Sequence, residues 1–200
     1  RIAGSAQVHF ENITFASGNG GPEGNEAALL EIEASDHVSL ASCAFTGGKA
    51  SGVAIHDAAA KIEGCDFLGH GRAAIFSLDS RGLTISDNRI AGCGNGGILV
   101  WGTASRRGSA TIIGNSISGI GASNGGNGQN GNGINVFRCD DVLIANNRIA
   151  DCAFTAIRLN STNNVVVSGN LCRNSGEVGI FSEFAFTGSV IADNIVDGAA

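Results

Sequence analysis

Residues 142–151 read VLIANNRIAD, and the recurrence of this stretch along the chain decides the fold. Val142 and Ile144 alternate with other residues as in a β-strand. Ile149 breaks that alternation, and Asn147 lies among apolar residues where a core residue is expected. Related segments are GLTISDNRIAG (82–92), ATIIGNSISG (110–119) and VVVSGNLCRN (165–174). Internal repetition of this kind is typical of solenoids, in which each repeat stacks on its neighbour.

Aligning the chain on Asn147 gives eight equivalent anchor positions. The anchors are Ile13, Cys43, Cys65, Asn88, Asn115, Asn147, Asn170 and Asn194. Each anchor follows a residue that forms turns, and these residues are Asn12, Ser42, Gly64, Asp87, Gly114, Asn146, Gly169 and Asp193. Most of these residue types tolerate a left-handed backbone, so the sequence predicts a corner immediately before every anchor.

The corner explains why the apolar alternation changes phase within one repeat. Apolar side chains lie three residues before the anchor and again two residues after it, which a single straight strand does not allow. A third short strand begins about ten residues further on, as in Val53–Ile55 and Ile98–Val100. The sequence therefore predicts an all-β solenoid of about eight coils, each with three short strands that pair in parallel with the next coil. We expect residues 1–200 to form one domain.

The recurring asparagines are interpreted as structural. An inward amide can hydrogen-bond to its copy in the coils above and below, which offsets the cost of burying it. The predicted ladder consists of Asn88, Asn115, Asn147, Asn170 and Asn194. The six cysteines are interpreted as buried thiols, because their spacing fits neither disulfides between coils nor a metal site.

Composition excludes several classes of function. The formal net charge is −6, and Lys49 and Lys61 are the only lysines, so we expect no nucleic-acid partner. No apolar run reaches the roughly 18 residues that a membrane span requires. The chain begins at Arg1 and contains no methionine. We therefore expect a processed or excised segment. Solenoids need caps to protect their edges, and neither end offers an obvious amphipathic cap, so we expect the solenoid to continue beyond residues 1 and 200.

The repeat resembles the right-handed parallel β-helix of the pectate-lyase-like superfamily over the whole chain. Three segments are also similar to bacterial twin-arginine-exported repeat proteins whose function is not established. These segments are GQNGNGINVFR (128–138), NRIADCAFTAIRLNSTNN (147–164) and GEVGIFSEFAFTGSVIADNIVDGAA (176–200). The first resemblance implies right-handed winding, and the second implies a periplasmic or extracellular location.

In the superfamily, substrates lie along the strand that follows the longest turn. The long loops 16–26 and 118–132 both enter that strand here, and a third insertion, 101–109, leaves it and carries Arg106 and Arg107. Long irregular loops on a rigid scaffold commonly carry function. Because loop 118–132 is rich in glycine and asparagine, it is either a mobile flap or simple slack.

The outward face of the same strand is the candidate binding surface. Aromatic rings beside amide and charged groups suit sugars, and two arginines would suit an acidic glycan. The candidate substrate-binding residues are Trp101, Asn135, Phe137, Arg138, Arg158, Asn160 and Glu183. The expected ligand is a polysaccharide or oligosaccharide. The alternatives are that the apolar stripe packs under the long loops, or that it contacts another protein or a second copy in a structural or adhesive rod.

The sequence leaves open whether the protein is an enzyme. Asp57 and Asp79 occupy equivalent positions in neighbouring coils, and stacked carboxylates can serve as an acid–base pair or bind Ca²⁺. They are the candidate catalytic residues for lyase or hydrolase chemistry, although acids at turns are more often solvated. No cofactor and no metal site are otherwise predicted. Polygalacturonases of this fold carry paired aspartates before Gly-His-Gly, but here Gly69-His70-Gly71 precedes Asp140-Asp141, so that activity is not inferred.

Overall fold

The computed structural model describes residues 1–17, 27–103, 108–126 and 128–200. The described chain winds into a right-handed parallel β-helix with three faces, and every strand pairs in parallel with its copies in adjacent coils. The predicted all-β solenoid is confirmed. It has about seven complete turns rather than eight, because the eight anchors bound only seven turns.

The first face follows the long loops and contains the candidate surface. Its strands are Ile2–Ala3, Ala28–Glu33, Ser51–His56, Ala73–Leu78, Gly96–Trp101, Asn132–Phe137, the start of Ile157–Ser168, and Ile180–Thr187. The second face precedes the anchors. Its strands are Ala6–Glu11, Asp36–Ala41, Ala60–Glu63, Leu83–Ser86, Ala110–Ile113, Asp140–Ala145, the end of Ile157–Ser168, and Val190–Ala192.

The third face follows the anchors. Its strands are Thr14–Ala16, Ala44–Thr46, Asp66–Leu68, Arg89–Ala91, Ser116–Ile120, Arg148–Cys152, Leu171–Ser175 and Ile195–Ala199. The first and second faces join into one sheet through the long strand Ile157–Ser168, which continues around their shared corner. Within the described residues, no helix has the length and hydrophobicity needed to cross a membrane.

The asparagine ladder is confirmed. Asn115 Nδ2 donates to Asn147 Oδ1 at 2.9 Å, and Asn147 Nδ2 donates to Asn170 Oδ1 at 3.0 Å. The ladder extends to Asn88 at one end and to Asn194 at the other, with 2.9 Å between neighbouring amides at both ends. Each amide also donates to a main-chain carbonyl of the preceding coil, so the side-chain amides of the ladder have hydrogen-bond partners.

The corner before each anchor has the predicted left-handed conformation. All eight residues have φ between 50° and 70°: Asn12, Ser42, Gly64, Asp87, Gly114, Asn146, Gly169 and Asp193. Beyond the corner, side chains of the third face form a column inside the helix. Phe15, Phe45 and Phe67 stack there with ring centroids 4.7 Å apart, close to the spacing of paired strands.

All six cysteines are buried free thiols, as predicted. Cys43 and Cys65 occupy the equivalent anchor positions in the two coils before Asn88, where the ladder has no asparagine. The Cys65 main-chain N–H donates to Asn88 Oδ1 at 2.9 Å, whereas the Cys43 N–H reaches only the weak acceptor Cys65 Sγ at 3.4 Å. Burial raises the pKa of the Cys65 thiol to about 11, so the thiol is protonated and unreactive at neutral pH.

Cys65→Asn is expected to extend the ladder by one rung. The new amide would accept from the Cys43 N–H and donate to the Leu40 carbonyl, which Cys65 Sγ now approaches at 3.6 Å. Replacing these weak contacts with amide hydrogen bonds should raise the free energy of unfolding by about 1 kcal/mol, as measured by urea denaturation. Cys172→Asn, which puts an amide into a purely apolar column, is the control and should destabilise the protein.

Candidate functional site

Two columns of outward side chains run along the first face. The first column consists of Glu31, Ala54, Phe76, Leu99, Asn135, Arg158 and Phe181, which are paired from coil to coil. The second column consists of Glu33, His56, Leu78, Trp101, Phe137, Asn160 and Glu183 in the same register. The structure therefore places every sequence-predicted binding residue except Arg138 in these two columns.

A concave cleft of about 500 Å³ lies over the middle of this face. Phe76, Leu78, Leu99 and Trp101 form its apolar floor. The Trp101 ring packs edge-on against Phe76, with centroids 5.3 Å apart. Phe76 and Leu99 are only 8% and 6% exposed, so the floor is recessed. The apolar stripe is thus recessed in a groove. This arrangement combines two predictions from the sequence, a ligand-binding surface and an apolar stripe next to a long loop.

The wall of the cleft is rich in amides. Arg72, Asn95, Asn124, Gln129 and Asn130 line it on the side where strands of the first face begin. Sequence reasoning missed these residues, since they lie in turns and in a loop where the repeat has no fixed register. For Asn124, Gln129 and Asn130, the one visible signal is the density of asparagine and glutamine in GASNGGNGQNGNG (121–133), which leads into a strand that ends in Phe137.

Loop 121–131 is held to the coils of the β-helix by hydrogen bonds. The Asn95 Oδ1 accepts from the Asn124 N–H at 2.8 Å, and the Asn95 carbonyl accepts from the Gly131 N–H at 2.7 Å. Asn135 Nδ2 donates to the Gly128 carbonyl at 2.8 Å. These hydrogen bonds attach both ends of the loop to neighbouring coils. Its described residues therefore form a fixed wall of the cleft rather than an unattached loop.

A second cavity of about 150 Å³ continues the groove toward the C-terminal coils. It is lined by Trp101, Asn135, Phe137 and Asn160, together with Gly128 and Gln129 from the loop. Trp101 and Gln129 border both cavities. The Trp101 indole nitrogen is buried with no hydrogen-bond partner among the described residues, and a buried N–H without an acceptor is costly.

Arg158 belongs to an internal ion-pair cluster. Its Nε and Nη2 donate to Glu183 Oε1 at 2.9 and 2.7 Å, and its Nη1 lies 3.5 Å from Glu177 Oε2. The arginine side chain is 7% exposed, and its guanidinium lies over the Phe181 ring. Two carboxylates therefore balance its charge, and the structure does not support the hypothesis that Arg158 attracts an acidic glycan. Asn160 joins the cluster by donating to Glu183 at 2.8 Å.

The other sequence-predicted residues lie in three different environments. Asn135 is 2% exposed, lies at the base of the second cavity and donates to the loop. Phe137 is half-buried at the second cavity. Arg138 is exposed at the corner beyond it, with its guanidinium 4.7 Å from the Phe137 ring centroid.

Asp57 and Asp79 lie at corners of the first face and do not line the cleft. Both have left-handed φ, of 47° and 55°, a conformation that aspartate tolerates better than most residues. Asp79 accepts from the main-chain N–H of Thr103 at 2.8 Å and from its hydroxyl at 3.2 Å, while Asp57 lies 3.5 Å from Arg81. The left-handed backbone and these contacts explain why aspartate occurs at both corners.

Within the described ranges, no three His, Cys, Asp or Glu side chains come together as metal ligands would. Most of loop 16–26, and both Arg106 and Arg107, lie outside the described residues. His70 lies in the core and is 1% exposed, and burial lowers the pKa of its imidazole.

Parallel coils, an internal asparagine ladder and a loop-walled groove along one face define a right-handed parallel β-helix protein. The family model described as "Right handed beta helix region" matches residues 1–129 and again residues 51–200, which together span the chain. The chain belongs to this family. Comparison with curated proteins gives no significant match in sequence.

The solved structures that this chain resembles are distant from it in sequence. The exopolygalacturonase from Thermotoga maritima is 11% identical, with a TM-score of 0.59 over 85% of this chain and 49% of that protein. The periplasmic alginate epimerase AlgG is 15% identical, with a TM-score of 0.43 over 83% and 60% of the two chains. PfbA, a surface adhesin of Streptococcus pneumoniae, is 10% identical, with a TM-score of 0.31 over 99% and 62%. The chain thus spans about half the length of the exopolygalacturonase, and the likeness shows the fold alone.

Proposed function

We propose that this protein binds a polysaccharide or oligosaccharide in the cleft over Phe76, Leu99 and Trp101. The observation that carries the proposal is the meeting of an aromatic and aliphatic floor with an amide-rich wall in one concave site. The C–H faces of sugars pack on apolar rings, while their hydroxyls exchange hydrogen bonds with amides.

The proposal is one of binding rather than bond cleavage. Arg72 is the only ionisable side chain among the described residues that line the cleft. Acid–base chemistry on a glycosidic bond needs a proton donor and an acceptor placed at the bond, and carboxylic acids usually fill these roles. Gly69-His70-Gly71 does not supply them, because His70 is enclosed in the core.

A periplasmic or extracellular location belongs to the same proposal. It rests on the similarity of 128–138, 147–164 and 176–200 to exported repeat proteins. The exopolygalacturonase with this fold is, by its name, a polysaccharide enzyme, which agrees with a carbohydrate ligand. The rival function, a protein-binding rod, requires a broad apolar contact surface, whereas the floor here is recessed beside an amide-rich wall.

Trp101→Ala is expected to weaken glycan binding by at least about tenfold, the effect of losing one well-packed aromatic contact. The measurement is a glycan array followed by calorimetric titration of the best ligand. Trp101→Phe keeps a ring on the floor and should retain part of the affinity. Leu68→Ala removes a 54% exposed apolar side chain from the third face and serves as the control. Failure of the wild-type protein to bind any glycan would overturn the proposal and favour the protein-binding rod.

A further inference from the structure

We infer that Gln129 is the specificity-determining residue of the proposed glycan site and that Asn135 is the positioning residue that holds it there. The inference rests on the proposed function for its ligand and on loop geometry for its mechanism. Gln129 is the residue of loop 121–131 that borders both the large and the small cavity. Trp101, on the floor of the groove, also borders both cavities.

The position of Gln129 is set by bonds on both sides of it. On one side, the Gly128 carbonyl accepts from Asn135 Nδ2 at 2.8 Å and from Asn132 Nδ2 at 3.4 Å. On the other side, Asn132 Nδ2 also donates to the Asn130 carbonyl at 3.1 Å. Asn132 and Asn135 belong to one rigid strand of the first face, so the strand fixes the loop above it.

Gly131 adds a steric constraint to the same segment. Its φ is 77°, and a Cβ at this position would lie 2.4 Å from Phe154 Cδ2. Only glycine fits this left-handed and crowded position, and its N–H donates to the Asn95 carbonyl at 2.7 Å. Residues 128–131 are therefore constrained by main-chain geometry as well as by the amides beneath them.

This placement predicts how Gln129 acts on a ligand. A linear oligosaccharide that occupies both cavities must pass between Gln129 and Trp101, so the linkage between two sugar units lies there. The glutamine amide offers both a donor and an acceptor to hydroxyls beside that linkage. Gln129 should therefore discriminate between linkage types and sugar epimers, while a single sugar unit in the large cavity should depend on it less.

Trp101 provides a test of the positioning role that needs no ligand, because it is the only tryptophan in the chain. Acrylamide quenching of its fluorescence should rise at least about twofold in Asn135→Ala and in Gln129→Ala, since both open the junction between the cavities. Asn163→Ala is the matched control, because it removes a 3.0 Å hydrogen bond that the Asn163 amide donates to the Asp140 carboxylate on the second face. Quenching in Asn135→Ala equal to that in Asn163→Ala would overturn the positioning role.

The specificity role is tested with disaccharides to tetrasaccharides of differing linkage. Gln129→Ala should change the order of affinities and weaken the best oligomer at least about fivefold, as expected for the loss of one or two hydrogen bonds. Binding of the corresponding monosaccharide should change less than twofold. An unchanged order of affinities would overturn the specificity role. If the wild-type protein binds no glycan, the proposed function fails, and the quenching comparison still decides whether Asn135 positions the loop.

Discussion

Asn147→Ala is expected to lower the free energy of unfolding by about 4 kcal/mol, because several buried polar groups lose their partners together. Asn147 Oδ1 accepts from both the main-chain and the side-chain N–H of Asn115 at 2.9 Å. Its Nδ2 donates to the Ile112 carbonyl and to Asn170 Oδ1 at 3.0 Å. Alanine removes all of these bonds and leaves a small cavity in a position that is 0% exposed.

The effect is measured by urea denaturation followed by circular dichroism. Asn163→Ala, which removes an amide from a half-buried position outside the core, should cost less than about 1 kcal/mol. The ladder runs through the whole stack, so the Asn147 variant should also increase hydrogen exchange in the neighbouring coils. A loss of stability no greater than that of Asn163→Ala would show that the ladder is incidental to folding.

The winding of the chain could be predicted from the sequence because each coil repeats the same requirement. A left-handed residue must precede each anchor, and an apolar side chain must occupy each inward column. Asn146, Asp87 and Gly169 meet the first requirement with different side chains, and the structure gives all three the same backbone conformation. Repetition lets one weak signal be checked eight times along a chain, which no single motif allows.

The candidate site could be predicted only in part, since half of it lies outside the repeat. The register placed Trp101 and Phe137 correctly on the outward face. It could not show that loop 121–131 covers Asn135, because a loop without periodicity has no register to read. Arg158 was misjudged for a similar reason. Glu177, one of its two partners, lies in a turn, and burial of an arginine depends on such partners rather than on strand position.

Gly97→Ala is expected to lower the free energy of unfolding by roughly 3 kcal/mol, the cost of overpacking a site that cannot relax. A Cβ at this position would lie 2.3 Å from the Gly133 carbonyl oxygen in the next coil and 2.9 Å from Ile117 Cγ2. The first contact is with main chain, so no side-chain rotation relieves it. Gly128→Ala is the control, because its Cβ would meet no atom within 4 Å and its φ is not left-handed.

The same substitution should also reach the candidate site, since Gly97 and Trp101 lie on one strand, Gly96–Trp101. Moving the strand away from the Gly133 carbonyl shifts its pairing with Asn132–Phe137, and this pairing sets the floor of both cavities. We therefore expect a changed Trp101 emission spectrum in Gly97→Ala under conditions where the protein remains folded. Lost stability with an unaltered spectrum would show that the coils absorb the added methyl without moving the first face. The groove would then be mechanically independent of the spacing between coils.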